Sequence, residues 1–389
     1  MKWRHTIIDW NKHVEMLHHT CGFKSRYHMT EPSFNKLVDL LRPQLIGDEL
    51  QSIRSNSGND PITPEMIVGS GLRFLGGEHH KSIADIFGMS LTSAVRVVNI
   101  FLHAVDSNKR LALKIPTTIS ELEKLADDWN ALSSAFSLYD GTVGAIDGWL
   151  ACIEKPAVDG AADYFSGHYQ RYGLNIQAVC DSNLRFIYFG VNAPGRTNDA
   201  RVFNRCKKLR QWLASIPNQY FLIGDNAYPL SNKLLIPFSG SQKHFTYNRS
   251  YNFYLSQLRI RIEMAFGRLT TKWRIFRRNL DYSLEKNAMI CRVASILHNF
   301  VIDSDNLTFE ASLDSNNMEE FGVESLLDGP NGNRGYFPSL PCRSSDANIV
   351  NSRRTNMLAE IKSRDLRRPV HNLIRNQELD DESVYEDDG

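Results

Sequence analysis

The chain has 389 residues, 42% hydrophobic and 23% charged, the balance of a folded protein of two or three domains. That balance excludes a wholly disordered chain, a collagen-like repeat and a small scaffold held by disulfides. Lys and Arg total 45 against 44 Asp and Glu, and the net charge of +1 conceals strong local bias.

Residues 1–60 carry helical segments, among them 33–41, where Phe34, Leu37, Leu40 and Leu41 share a face. A polar Ser/Asn/Gly/Asp stretch ending at Asp60 reads as a linker. Over 61–110 the pattern sharpens. Thr63 caps a helix with Pro64 at its first position, and Gly76-Gly77 stops it. A short helix over 82–87 leads to the turn Gly88-Met89-Ser90, with a left-handed glycine and a capping serine. A third helix follows over 91–105, with Val95, Val98 and Leu102 facing inward. This spacing predicts a helix-turn-helix, whose exposed Thr92, Ser93, Arg96 and Asn99 are groups that bond DNA phosphates or base edges. Plain three-helix packing units have the same spacing, and no residue of the segment separates the two readings.

From about residue 140 the periodicity changes. Strands are predicted over 143–153, 175–180, 185–191 and 220–224, the second and third joined as a hairpin by Asp181-Ser182-Asn183. A helix is predicted over 197–212, a long one over 251–275 and another over 288–301. Residues 140–302 thus read as a mixed α/β sheet domain.

Residues 303–328 hold eight acids and no Lys or Arg. A basic, helix-prone piece follows with Arg353, Arg354, Lys362, Arg364, Arg367 and Arg368, then a tail over 376–389 with seven acids and no base. Such charge blocks predict a charged, largely disordered tail over 303–389. The six cysteines lie far apart, without C-x-x-C pairs or zinc-finger spacing, and read as reduced, mostly buried thiols. No stretch suits a signal peptide or a membrane span, so the expectation is a soluble intracellular protein.

Three acids stand at informative places. Asp147 closes the first strand in Gly144-Ala-Ile-Asp-Gly148, Asp225 closes the fourth in Leu222-Ile-Gly-Asp-Asn226, and Glu263 lies in the long helix. Carboxylates on adjacent strand ends can hold hard divalent cations, and two such ions about 3.5–4 Å apart clamp the attacking and leaving oxygens of a phosphodiester. Against this, Asp-Gly and Asp-Asn are ordinary turn starters, and Glu263 sits four residues after Arg259, as a surface ion pair would. The surrounding charge favours the first reading. Residues 241–292 hold eleven Lys or Arg and three acids, with Tyr247, Tyr251, Trp273 and Phe276 among them. A basic, aromatic-laced helix suits polyanion binding, and makes Arg259, Arg268, Lys272 and Arg274 candidate DNA contacts beside Arg96 and Asn99.

Six ordered blocks carry a family resemblance: Gly144-Ala-Ile-Asp147-Gly148, the run 175–181, the run 194–203, Gly224-Asp225-Asn-Ala-Tyr228, Ile262-Glu263-Met-Ala-Phe266-Gly267, and Leu297-His298-Asn299. The chain resembles PIF/Harbinger-type transposases, and the nucleases derived from them, of the DDE endonuclease superfamily. The resemblance implies an RNase H-like mixed-sheet catalytic core behind an all-α helix-turn-helix region. It implies a divalent metal, Mg²⁺ or Mn²⁺, held by Asp147, Asp199, Asp225 and Glu263, with Asp147, Asp225 and Glu263 as the catalytic triad. Topology favours Asp225 over Asp199 as its second member. The implied chemistry is cutting DNA at transposon ends and joining the freed 3′ end to target DNA. A domesticated DNA-binding or interaction protein that no longer cuts is the alternative. Also implied are a nuclear setting, a Myb/SANT-like helper protein and, from mechanism, a homo-oligomer. One departure is Trp149, where relatives carry a small polar residue. His298 sits on an apolar helix and reads as a core histidine more than a ligand.

Overall fold

A computed structural model of the chain describes residues 7–45, 62–135, 137–305 and 352–368. Among these, the helices before the sheet are α1 (Trp10–His19), α2 (Phe23–Tyr27), α3 (Glu31–Leu45), α4 (Pro64–Leu75), α5 (His80–Phe87), α6 (Leu91–Ser107) and α7 (Ile119–Asn130). Local chemistry sets their ends as the sequence predicts. Thr63 Oγ1 accepts the Met66 N–H at the start of α4, Gly88 takes φ 64° after α5, and Ser90 Oγ accepts the Ser93 N–H under α6. The axes of α5 and α6 are bent by 104°. A Cβ at Gly71 would lie 1.9 Å from the Phe101 ring, so glycine permits the close crossing of α4 and α6. The sequence reading leaves α7 unassigned, although it opens on a reciprocal capping box between Thr118 and Glu121.

The sheet contains β1 (Thr142–Cys152), β2 (Phe165–Ser166), β3 (Arg171–Cys180), β4 (Phe186–Pro194), β5 (Phe221–Ile223) and β6 (Leu234–Leu235). It is mixed: β4, β3 and β1 run antiparallel in turn, while β1, β5 and β6 are parallel. β2 pairs with the first residues of β3. The predicted hairpin is β3–β4, closed by Asp181 Oδ1 accepting the N–H groups of Asn183 and Arg185 at 2.9 and 2.8 Å. The single helix predicted over 197–212 is two, α8 (Asp199–Arg205) and α9 (Lys207–Ser215), broken at Cys206 (φ −73°, ψ 71°). After them come α10 (Thr246–Lys272), α11 (Leu284–Ser304) and α12 (Ser352–Ser363).

Strand alternation gives the sheet two apolar faces. Ile146, Val179 and Leu222 pack with Val202, Leu209 and Trp212 of α8 and α9. Ala145, Ile176, Ala178 and Ile223 pack with Leu255, Leu258, Ile262 and Ala265 of α10. This second core runs on without a break into α3, α4 and α6, so the N-terminal helices are part of one body with the sheet. Polar ties reinforce the junction. Arg292 forks onto Asp106 at 2.9 and 2.7 Å, and Asp305 accepts the hydroxyls of Thr30 and Ser33.

Part of the span expected to be a disordered tail is ordered. On α12, Met357 and Ile361 are buried, the Arg354 guanidinium lies 4.0 Å over the Phe238 ring, and Tyr254 donates its hydroxyl to the Arg367 carbonyl. Arginine stems and rings supply the apolar contact that the residue count concealed. The linker to Asp60, residues 306–351 of the acidic stretch and the 376–389 tail lie outside the described residues. Of the described cysteines, Cys180, Cys206 and Cys291 are buried thiols and Cys21 is exposed. No single described helix is long and apolar enough to cross a membrane.

The Leu-His-Asn block is a packing device. His298 is 3% exposed and its Nε2 bonds the Leu184 carbonyl at 2.8 Å. Burial pushes its pKa down to about 4 from 6.5. Between those pH values the unfolded chain binds a proton that the folded one refuses, so stability falls as pH falls, by about 1.4 kcal/mol per unit. Urea unfolding at pH 7.5, 5.5 and 4.5 is expected to lose stability toward acid, with His298→Gln making the loss shallower and the buried His28, also held down to about 4, keeping part of it.

Candidate active site

Pairing in the parallel strands fixes the first two acids. Ala145 of β1 stands opposite Ile223 of β5, and Asp147 and Asp225 each follow two residues later. Two steps along a strand return to the same face, so both carboxylates belong to the α10 side. Asp225 is held in a turn by the Ala227 N–H on its Oδ1 (2.9 Å), and Asp147 Oδ1 accepts the Gly148 N–H (2.8 Å). The turn chemistry of these aspartates therefore orients the carboxylates without removing them from the site.

α10 brings the third acid. Trp149, on the Asp147 face of β1, stacks on Phe266 (centroids 5.8 Å apart, 28° between planes) and meets Phe276 edge-on at 5.1 Å. This contact sets the rotation of α10, and Glu263, one turn before Phe266, comes to the strand ends. Arg259 bonds Glu263 Oε1 at 2.5 Å and stands 3.7 Å from Asp147 Oδ2. The expected Arg259–Glu263 pair exists, and it lies inside the acid cluster instead of on a remote surface.

The electrostatics follow from this crowding. Burial, then the Asp225 charge, push the Asp147 pKa well above the usual carboxylate range, against the pull of Arg259. Asp147 still keeps a fifth of its side chain open to solvent. Burial also raises Asp225, with Asp199 and Glu263 adding to it. For Arg259, burial works against the charge, but Glu263, Asp147 and Asp225 outweigh it and raise its pKa.

Asp199 is near but placed differently. It begins α8, and its Oδ1 accepts the side-chain amides of Gln177 (2.9 Å) and Asn175 (3.2 Å). Gln177 pairs with Gly148 and accepts the Tyr228 hydroxyl, so this network lies on the face opposite Asp147. A Cβ at Gly148 would stand 2.3 Å from Asp199 Oδ1 and 3.0 Å from Gln177 Nε2. Gly148→Ala is therefore expected to cost about 1–3 kcal/mol, read from the urea midpoint, because the amide cradle has to open. Nothing in the sequence reading gave Asn175, Gln177 or Tyr228 this role, since only strand pairing brings them beneath Asp199. Tyr169 was missed as well. It sits in the β2–β3 turn with 54% of its surface exposed, within electrostatic reach of Asp147, Asp199 and Asp225.

The basic residues disperse. Lys272 is committed to the His28 carbonyl at 2.8 Å, with its pKa lowered to about 8 by burial. Arg268 is half-buried, and burial with the nearby Arg261 lowers it to about 10. Arg274 is exposed beyond α10. Of the six expected DNA contacts only Arg259 reaches the acids. The surplus positive charge of 241–292 does not gather at the acids: Arg261, Arg268 and Lys272, at steps of seven and four, follow one another along a different stripe of α10 from Arg259. Arg96 and Asn99 line a separate groove of about 870 Å³ on α6, together with Leu91, Ile100 and Val95, which faces this groove and not the core, where only Val98 and Leu102 of the expected inward residues are buried. Ser93 is tied to the cap through Ser90.

Among the described residues, no three His, Cys, Asp or Glu side chains already converge as a metal-ligand set. The donor chemistry nevertheless fits a hard cation: carboxylate oxygens from two neighbouring strand ends and one helix, short of positive charge by the pKa directions above.

Comparison with known proteins gives one family match and several distant relatives. Residues 146–299 match the family described as DDE superfamily endonuclease. The chain is 22% identical over 304 residues to "Protein ALP1-like" of Arabidopsis thaliana, covering 74% of this chain and 72% of that one. It is 24% identical over 264 residues to "Putative nuclease HARBI1" of Homo sapiens, covering 67% and 73%. A solved structure, "Crystal structure of a pre-cleavage Mos1 transpososome", covers 60% of this chain and 76% of that one at 14% identity. Its TM-score is 0.18, too low to define a shared fold.

Proposed function

From the match of residues 146–299 to the family described as DDE superfamily endonuclease, we propose that the chain is a metal-dependent DNA nuclease of the Harbinger transposase type. It cuts DNA at transposon ends and transfers the freed 3′ end to target DNA. One observation carries the reading: parallel β1 and β5 set Asp147 and Asp225 at neighbouring strand ends on one face, and α10 brings Glu263 to them through Arg259. Three antiparallel strands followed by two parallel ones, with a helix carrying the last acid, support an RNase H-like core.

Asp147, Asp225 and Glu263 would hold Mg²⁺ or Mn²⁺, which supplies charge to the attacking and leaving oxygens of the phosphodiester. The carboxylates act as holders and not as nucleophiles. Asp199, fixed by Gln177 and Asn175, adds negative charge from behind Gly148 and helps keep the site attractive to cations. Trp149 and Phe266 keep the strand and helix acids at a constant separation. The groove face of α6, with Arg96 and Asn99, is assigned to DNA as part of a helix-turn-helix. Nuclear action, a Myb/SANT-like helper and a homo-oligomer that pairs two DNA ends belong to the same reading.

The test is nicking of DNA that carries the element's own terminal sequences, with Mg²⁺ or Mn²⁺ and with a chelator. Metal-dependent nicks at the ends are the expected result. Binding without nicking, even with the helper added, would instead identify a domesticated DNA-binding protein.

A further inference from the structure

Among the described residues Arg259 is the one cation paired with the acids of the cluster, and it bridges two of them that come from different elements. Asp147 belongs to β1 and Glu263 to α10, so the guanidinium ties helix to strand at the place where a metal would do the same. Its side chain is 26% exposed, Asp147 is 20% and Glu263 40%, so the bridge is open to solvent from one side. A guanidinium and a divalent cation compete for these carboxylates, because both are positive and repel each other at the short range that the shared groups impose.

We propose that Arg259 is a resident counter-cation of the catalytic carboxylates, holding Asp147 and Glu263 together until a divalent metal takes its place. The inference rests on the metal-nuclease reading and adds an exchange to it. Before metal, the guanidinium neutralises a cluster that would otherwise repel itself open. After metal, the side chain is released at the edge of the site, still on the α10 turn beside Glu263. There it can fork onto a DNA phosphate oxygen. Metal loading and the grip on DNA are thereby linked through one residue.

The experiment is Mn²⁺ titration calorimetry on the full chain, comparing wild type, Arg259→Gln, Arg259→Lys and Asp147→Asn. Arg259→Gln is expected to bind Mn²⁺ at least about tenfold more tightly than wild type, since the competing charge is gone. Arg259→Lys keeps the charge and is expected to stay near wild type. Without metal, Arg259→Gln is expected to melt lower than wild type, and Mn²⁺ to raise its melting temperature by more. Equal or weaker Mn²⁺ binding by Arg259→Gln, with binding lost in Asp147→Asn, would overturn the exchange and leave the metal site standing. No Mn²⁺ binding by wild type or Arg259→Gln would overturn both.

A second measurement serves if Arg259→Gln does not fold. In wild type, the Arg259 Nε–H resonance is expected to be restrained without metal and motionally averaged with Mg²⁺. An unchanged resonance on metal binding would overturn the exchange.

Discussion

Asp147→Ala and Glu263→Ala are each expected to lower the rate of metal-dependent DNA nicking by roughly a thousandfold or more, several kcal/mol of transition-state stabilisation. Each removes an oxygen donor from a cluster that has few to spare, and each also frees Arg259 from one side of its bridge. Single-turnover nicking rates measure the effect. Loss of folding is not the expected cause. The Asp147 carboxylate is held against burial and the Asp225 charge, so its removal relieves repulsion, and the variant is expected to melt no lower than wild type. Asp199→Ala is expected to lose less activity than either, since its carboxylate is bound by Gln177 and Asn175 on the other face. If Asp147→Ala nicks at the wild-type rate, the assignment of the strand-end acids is wrong.

Asn299→Ala is expected to destabilise the fold by about 2–5 kcal/mol, a large share of the 5–15 kcal/mol typical of a native protein. Asn299 is 8% exposed and uses both ends of its amide on one residue. Its Oδ1 accepts the Phe186 N–H and its Nδ2 donates to the Phe186 carbonyl, both at 2.8 Å. Phe186 is in β4, on the side away from β3, and the side chain completes an edge that has no further strand. Alanine would leave a buried donor and a buried acceptor without partners. Asn299→Asp preserves only the acceptor, and is expected to lose nearly as much. Chemical unfolding midpoints decide it, with nicking activity expected to fall only in proportion to the unfolded fraction.

These two positions belong to the same family of sequence blocks and yet differ in kind. Read as letters, Asp147 and Asn299 are equally prominent, Asp147 a polar residue closing an apolar run and Asn299 one set inside such a run. Only packing separates them: one keeps part of its side chain open beside other acids, the other is spent on a strand edge.

The sequence by itself determined the elements whose causes are local. The Thr63 and Ser90 caps, the left-handed Gly88, the Asp181 turn and the apolar stripe of α10 are each read within a few residues, and the helices and strands appear there. The ordered motifs also single out Asp147, Asp225 and Glu263. Tertiary structure decided everything that depends on partners distant in sequence. Strand order, with β5 beside β1, made Asp147 and Asp225 neighbours across 77 intervening positions. Face alternation set Asp199 apart from them, behind Gly148. The eleven cations of 241–292 looked like one surface in composition, but burial on several sides of α10 sent Arg259 to the acids and Lys272 to a backbone carbonyl. The basic, helix-prone piece of the C-terminal span is a helix, and its docking depends on the Arg353 and Arg354 guanidinium groups lying over Phe221 and Phe238, a contact that a charge count does not register. Caps and periodicity act over one or two turns of chain, whereas burial and charge pairing act over distances that only the folded arrangement defines.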